Sequence, residues 1–367
     1  MIRSSQIKSI GTAVPAFKHQ QEDILRFMSR IYAFNERERR TLKYLYHQSN
    51  IKSRYSVLSD YSEEPAGWTF YPPAENLEPF PSLEKRMTVF NRHAANLSAD
   101  AIRNCLGDTR DIKGITHLIT VTCTGLSAPG LDLQLMELLD LPKNIFRTSV
   151  NFMGCYAAIH ALKLADTIAK TDPDARILIV CTELCTLHFQ QKATTDNITS
   201  SLLFGDGAAA VLVTGEGDRS LGFPLVGFYG EVVPRGKQDM SWSLSSTGFA
   251  MTLTSYVPSL IEEDFEMLVN QALSKHGISR DQITQWAIHP GGRKILEAIE
   301  KSLSLPKEKL EICYQILSEY GNMSSPTILF VLKEILSDLK KTKNQKAFCA
   351  AFGPGLTMET FIVGSPS

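Results

Sequence analysis

The spacing of apolar positions changes along the chain, and each change predicts a different element. Residues 20–47 (within them ILRFMSRIYAFNERERRTLKYLY) set apolar side chains at helical spacing among many charges, which predicts helix. Residues 56–86 are rich in Pro, Ser and Glu and predict irregular chain. RHAANLSADAIRNCL, 92–106, predicts another helix. Short β-branched apolar runs then alternate with helical patterns. ITHLITVTC (115–123), IFRTSVNFMG (145–154), ARILIVCTEL (175–184) and GAAAVLVTG (207–215) predict strands, and LDLQLMELLDL and CYAAIHALKLADTIA predict helices between them. After a polar stretch over 218–247 the order recurs. A helix is predicted near YVPSLIEEDFEMLVNQALSKHG, strand and loop at QWAIHPGG (285–292), and helices at RKILEAIEKSLSL and SPTILFVLKEILSDLKK. Residues 346–364 predict a strand, a Gly-Pro-Gly loop and a second strand. Strands interleaved with helices predict an α/β fold around a buried sheet. The similar element order on either side of 215–225 predicts duplicated αβαβα layers. On this reading an N-terminal half covers 1–218 and a C-terminal half 219–367, with no low-complexity linker between them.

Composition narrows the function class. Lys and Arg number 38 against 39 Asp and Glu, a formal net charge of −1 over 367 residues. That balance gives no reason to expect nucleic acid or an anionic membrane as partner. MIRSSQIKSIGTAVPAF lacks the apolar core of a signal peptide. No apolar run approaches the ~20 residues of a membrane helix. The seven cysteines are odd in number and scattered, and the Cys181/Cys185 spacing has no second pair to complete a zinc site. The expectation is a reduced cytoplasmic protein with mostly buried thiols and no metal.

Three local contexts carry candidate chemistry. Cys155, in NFMGCYAAIHAL, follows Gly154 at a predicted strand-to-helix junction. A helix start stabilises a thiolate through its unpaired N–H groups, although a buried packing cysteine fits the same context. His289, in AIHPGG, ends an apolar strand where a loop leaves a sheet, a common place for a site and for a structural hydrogen-bonder alike. Asn322, in SEYGNMSS, reads alone as a turn or cap residue. Together the three supply what Claisen chemistry on thioesters needs. The thiolate takes an acyl group, a neighbouring imidazolium lowers the thiol pKa, and two N–H donors stabilise the enolate left when a malonyl thioester loses CO2. No carboxylate base is required, because decarboxylation makes the carbanion.

LLFGDGAAA (202–210), SEYGNMSS (318–325) and FGPGLTMET (352–360) join GCYA and HPGG as five motifs in order across roughly residues 115–360. With SIGTAVP and IKSRY near the N-terminus, they make the chain resemble the type III polyketide synthases, the chalcone and stilbene synthase family of the thiolase superfamily. The resemblance implies a thiolase-like fold and a homodimer. It implies an acyl-CoA starter loaded on Cys155, two or three malonyl-CoA extensions, cyclisation, and no permanently bound cofactor. His289 and Asn322 then activate the cysteine and stabilise the enolate. Phe204 matches the family's gatekeeping phenylalanine between CoA tunnel and cavity, and the Gly353-Pro354-Gly355 loop matches the one shaping the cavity beside the cysteine.

The pocket positions depart from the plant enzymes. Cys123 and Thr124 stand where those have Thr-Ser, and Ala128 replaces a Met that reaches into the partner's cavity. His188 replaces a Thr, Trp242 a Gly and Met251 a gating Phe, while Ser324 is retained. The pattern MSWSLSSTGFAMTLTSYVP resembles bacterial members that make alkylpyrones or alkylresorcinols from fatty acyl starters, so an alkyl product is expected. Two alternatives stay open: a short-starter pyrone or phloroglucinol-type product, if Trp242 and His188 shrink the cavity, and a ketoacyl-ACP synthase performing one condensation. The phosphates of CoA call for cations. Lys52, Arg54, Arg293 and Lys294 are the candidates, while Arg37, Arg39, Arg40 and Lys43 read equally as a solvated helix face.

Overall fold

The structure, a computed structural model of the chain, describes residues 4–32, 35–74, 76–107, 109–341 and 343–366, with 109–111 described by backbone alone. The N-terminal half contains β1 (Ser5–Ala13), β2 (Phe17–Gln20), α1 (Gln21–Ile31), α2 (Glu36–Gln48), β3 (Ser53–Ser56) and α3 (Leu83–Leu106). It continues with β4 (His117–Thr122), α4 (Leu131–Leu138), β5 (Phe146–Asn151), α5 (Ala157–Thr171), β6 (Arg176–Leu184), α6 (Thr195–Leu203) and β7 (Asp206–Gly215). The C-terminal half contains β8 (Phe223–Val232), β9 (Met240–Ser245), β10 (Gly248–Leu253), α7 (Val257–Lys275), β11 (Ile283–Ile288) and α8 (Arg293–Leu303). It ends with α9 (Glu311–Tyr320), α10 (Thr327–Leu339), β12 (Lys346–Gly353) and β13 (Thr357–Gly364).

Nine strands form one sheet in the order β11-β12-β13-β8-β1-β7-β6-β4-β5. The two halves repeat a pattern within it. β4 and β6 are parallel and β6, β7 and β1 antiparallel in one half; β11 and β12 are parallel and β12, β13 and β8 antiparallel in the other. The halves meet where β1 pairs with β8, at Gln6↔Pro224 and Ile7↔Phe223. Helix α3 covers β1, β6 and β7 from one side, and α7 packs on β8. Helices α5 and α10 lie between the halves: α5 packs on β4, β6 and β7 and reaches β13, and α10 packs on β11 and β12 and reaches β1 and β7. Helices α5 and α10 thus contact strands from both halves of the one sheet. The central helices carry the residues such a position demands. Ala157, Ala158, Ala161, Ala165 and Ala169 of α5 are buried, as are nine of the residues of α10, because both helices are covered on more than one side.

Several sequence expectations are refined. The helix read over 20–47 is two helices, and α2 begins at an Asn35 capping box in which Asn35 accepts from Glu38 N–H. The helix read at 92–106 starts at Leu83 behind the Ser82 cap. The polar stretch 218–247 contains β8 and β9, whose residues are half exposed and so lack a continuous apolar signature. Helix α9 was hidden in the segment before SEYGNMSS. Among the described residues no helix is long and apolar enough to cross a membrane.

Candidate active site

Cys155 occupies a short 3-10 turn, Gly154–Tyr156, between β5 and α5. Gly154 has φ +80°, and a Cβ there would lie 2.2 Å from Pro354 Cδ. The turn is therefore possible only for glycine, and the Gly353-Pro354-Gly355 loop packs directly over it. His289 follows β11, where its backbone N–H donates to the Ala350 carbonyl at 2.8 Å. Asn322 follows α9 and pairs with Phe204 as an isolated parallel bridge: Asn322 N–H donates to Leu203 O at 2.9 Å and Gly205 N–H to Asn322 O at 3.0 Å.

Cys155, His289, Asn322 and Phe204 line one cavity of about 240 Å³. All four are buried. Cys155 Sγ stands 4.0 Å from Asn322 Oδ1. The Asn322 amide is oriented by its neighbours: Oδ1 accepts the Ser324 N–H at 2.8 Å and Nδ2 donates to the Gly291 carbonyl at 3.2 Å. One Nδ2–H remains for a bound group. Neither nitrogen of the His289 ring has a hydrogen-bond partner among the described residues. A buried imidazole that lines a cavity and has no hydrogen-bond partner is equipped to bind something there. Burial pushes the lone Cys155 thiol up to about 11, against the lowering effect of Ser324 and Asn322. Burial pushes the lone His289 imidazole down to about 3. Burial thus disfavours the charged form of each group taken singly.

Phe204 and Met251 also border a smaller cavity of about 40 Å³, lined besides by His188 and Trp242. Its far wall is built from fixed parts. His188 Nε2–H donates to Thr124 O at 2.8 Å while Nδ1 accepts the Phe249 N–H at 3.1 Å, which holds the ring neutral, and burial lowers its pKa to about 3. The ring stacks on Phe249 at 4.3 Å. Trp242 Nε1–H donates to Cys123 O at 2.7 Å. Cys123, Thr124 and Ser324 are buried but line neither cavity. Cys123 Sγ instead accepts the Gly154 N–H at 2.9 Å. Ala128 is exposed on the surface of the chain and lines neither cavity.

Of the four proposed phosphate contacts, Arg293 and Lys294 stand at the start of α8 and line the larger cavity. Lys52 is exposed and lines neither cavity. Arg54 requires correction. It is 3% exposed, with Nε donating to Gln21 Oε1 and Nη1 to the Phe204 carbonyl, so it cannot present its charge to solvent-borne phosphates. Sequence reading also missed Glu183, a fully buried carboxylate at the end of β6. It accepts from Cys123 N–H and Thr124 Oγ1–H, both at 2.8 Å, and from Ser325 Oγ–H at 2.6 Å, and burial raises it to about 7. A single acid in the apolar run RILIVCTEL was the available signal.

An apolar cavity that brings a cysteine, an unpartnered imidazole and an amide N–H together is suited to acyl transfer and carbon–carbon bond formation. The family is then specific. The N-terminal domain of chalcone and stilbene synthases matches residues 3–217 and the C-terminal domain of the same enzymes residues 225–366. The chain belongs to this family and is a type III polyketide synthase, an acyltransferase. Among solved structures it is similar to PKS-I from the brown alga Ectocarpus siliculosus, at 26% identity and TM-score 0.92, over 100% of this chain and 99% of that one. It is also similar to the C-terminal type III polyketide synthase domain of Steely1, a type I/III hybrid from Dictyostelium, at 28% identity and TM-score 0.88, over 99% of this chain and 100% of that one. The fold is thus the thiolase-like one expected.

Proposed function

We propose that this enzyme loads an acyl group from acyl-CoA onto Cys155, extends it with two or three malonyl-CoA units, and cyclises the chain to an alkylpyrone or alkylresorcinol. The observation that carries the reading is the cavity shared by Cys155, His289 and Asn322, in which neither His289 nitrogen has a hydrogen-bond partner among the described residues. His289 accepts the thiol proton as the thiolate attacks the acyl-CoA carbonyl, and CoA leaves as its thiol. Malonyl-CoA then occupies the same cavity. Loss of CO2 leaves an enolate whose oxygen takes hydrogen bonds from His289 N–H and the free Asn322 Nδ2–H. The enolate carbon attacks the Cys155 thioester and expels the thiolate, which leaves the lengthened chain on CoA. No step needs a metal or a bound cofactor. Arg293 and Lys294 are placed to meet the CoA phosphates.

An alkyl starter is supported by the apolar lining of the larger cavity, which includes Leu203, Met240, Met251 and Leu253. A second copy of the chain is proposed to cover β5. This edge strand is largely exposed, Phe146 is 69% exposed, and α4, which contacts β5, exposes Leu133 and Leu138. The test is a panel of short, aromatic and long acyl-CoAs with malonyl-CoA, read by mass spectrometry. Alkyl-substituted pyrones or resorcinols are expected. Acceptance of aromatic starters alone contradicts the alkyl reading, products from acetyl-sized starters alone favour the short-starter alternative, and a single ketoacyl product overturns the polyketide reading.

A further inference from the structure

Arg54 is displaced from the role its sequence context suggested, and its actual surroundings point to another. It sits on β3 with its side chain 3% exposed. Its hydrogen bonds go to two oxygens that converge on one segment. Nη1 donates to the Phe204 carbonyl, and Nε donates at 3.0 Å to Gln21 Oε1, whose own Nε2 donates at 2.9 Å to the Leu202 carbonyl. Residues 202–204 are the strip that bridges to Asn322 through the Leu203 and Gly205 hydrogen bonds. The aliphatic stem of Arg54 fills the other side of that bridge. A Cβ on Gly321 would lie 2.7 Å from Arg54 Cδ and 2.8 Å from Cγ, and Gly321 has φ +67°. A Cβ on Gly205 would lie 3.4 Å from Arg54 Cβ. Arg54 is thus wedged between the residue after Phe204 and the residue before Asn322. It makes no salt bridge with a carboxylate among the described residues. Asp206, the acid beside it in sequence order after Gly205, is occupied by Val57 N–H and by the Thr186 N–H and hydroxyl. Asp206 attracts the guanidinium without forming an ion pair with it, whereas the hydrogen bonds named above go to neutral oxygens, and what they secure is geometry.

We infer that Arg54 is a positioning residue that locks the Phe204 main chain to Asn322, and so fixes where the gate ring and the enolate-binding amide stand relative to Cys155. The inference rests on the polyketide reading above. It accounts for the bridge at once: Phe204 and Asn322 belong to sequence segments more than a hundred residues apart, yet both must be placed within the small tolerance that condensation allows.

The experiment uses the full chain with Arg54→Met, Arg54→Lys and Gln21→Leu. Released CO2 and extended product are measured in the same reaction, with malonyl-CoA and with malonyl-pantetheine, which lacks the nucleotide phosphates. Arg54→Met is expected to lower kcat for extension by on the order of 100-fold, equally on both thioesters, with little change in KM. CO2 release falls as well, because the enolate oxygen loses its well-placed Asn322 donor, but extension falls further and the ratio of CO2 to product rises, because condensation also needs the enolate carbon aligned with the Cys155 thioester. Arg54→Lys recovers part of the coupling. If Arg54→Met does not fold, Gln21→Leu carries the same test with a smaller effect. A raised KM for malonyl-CoA that vanishes with malonyl-pantetheine would make Arg54 a phosphate contact and overturn the inference. So would an unchanged CO2-to-product ratio with both activities falling together. Wild-type enzyme that forms no extended product contradicts the polyketide reading instead.

Discussion

His289→Ala isolates the step on which all later chemistry depends, formation of the Cys155 thiolate. Cys155 is buried, and burial, the largest cause, with its neighbours brings its thiol to about 11. The groups that oppose this rise are the neutral Ser324 and Asn322 side chains, and Glu183 adds to it. Without an imidazole to take the proton, the thiol at pH 7 stands about four units below its pKa, so the thiolate fraction is about 10⁻⁴. With His289 present, thiolate and imidazolium form as a pair, and a pair that brings the thiol even to neutrality gives a fraction near one half. The expected loss of thiolate at pH 7 is therefore about 10³- to 10⁴-fold. The assay is the rate of Cys155 alkylation by iodoacetamide from pH 5 to 10, with the modified residue located by peptide mass spectrometry. The wild-type rate should level off near neutrality. The variant's rate should climb about tenfold per pH unit toward the alkaline limit, because removing a cation raises a thiol pKa. Equal rates at pH 7, or superimposable pH profiles, would refute the reasoning.

Trp242→Gly removes a ring held by the Cys123 carbonyl and opens the smaller cavity; it is expected to shift product length or starter bulk upward by mass spectrometry, and an unchanged product spectrum contradicts a role in size selection. Arg293→Ala with Lys294→Ala is expected to raise KM for acyl-CoA about tenfold while leaving the pantetheine thioester unaffected; equal effects on both substrates argue against phosphate contact. Burial raises Glu183 to about 7 and Asp206 to about 6. Both lie above their unfolded values, so the stability they contribute is complete below about pH 4 and is lost as pH rises toward 7. Glu183→Gln keeps an acceptor for Cys123 and Thr124 and removes that dependence. Urea unfolding should show the variant gaining up to about 3 kcal/mol on wild type between pH 4.5 and 8, and parallel stability curves would contradict the assignment.

The alternation of strands and helices was readable because a buried parallel pair such as β4 and β6 needs continuous apolar runs, and β7 is buried throughout. Strands β8 and β9 were not, because half their side chains face outward and the run breaks. Cys155, His289 and Asn322 were legible together rather than singly: each sits at the end of an element beside glycine or proline, and the motifs around them occur in one order along the chain. Arg54 was misread because sequence shows an arginine's charge but not its burial. Its partners lie 33 and 150 residues away. Glu183 was overlooked for the same reason. Its hydrogen-bond donors Cys123 and Ser325 lie 60 and 142 residues off, so beyond its place in an apolar run nothing in the sequence shows what it binds. His188 and Trp242 were recognised as bulky, but only the fold shows that both are pinned by backbone carbonyls rather than free to move aside.

The most direct test of the central claim is the intact mass of the enzyme after exposure to a fatty acyl-CoA, followed by a chase with malonyl-CoA. One acyl group should appear on Cys155 and be absent from Cys155→Ala, and the chase should discharge it as products lengthened by more than one ketide unit. Acylation of a different residue, or an acyl-enzyme that malonyl-CoA does not discharge, would contradict the account.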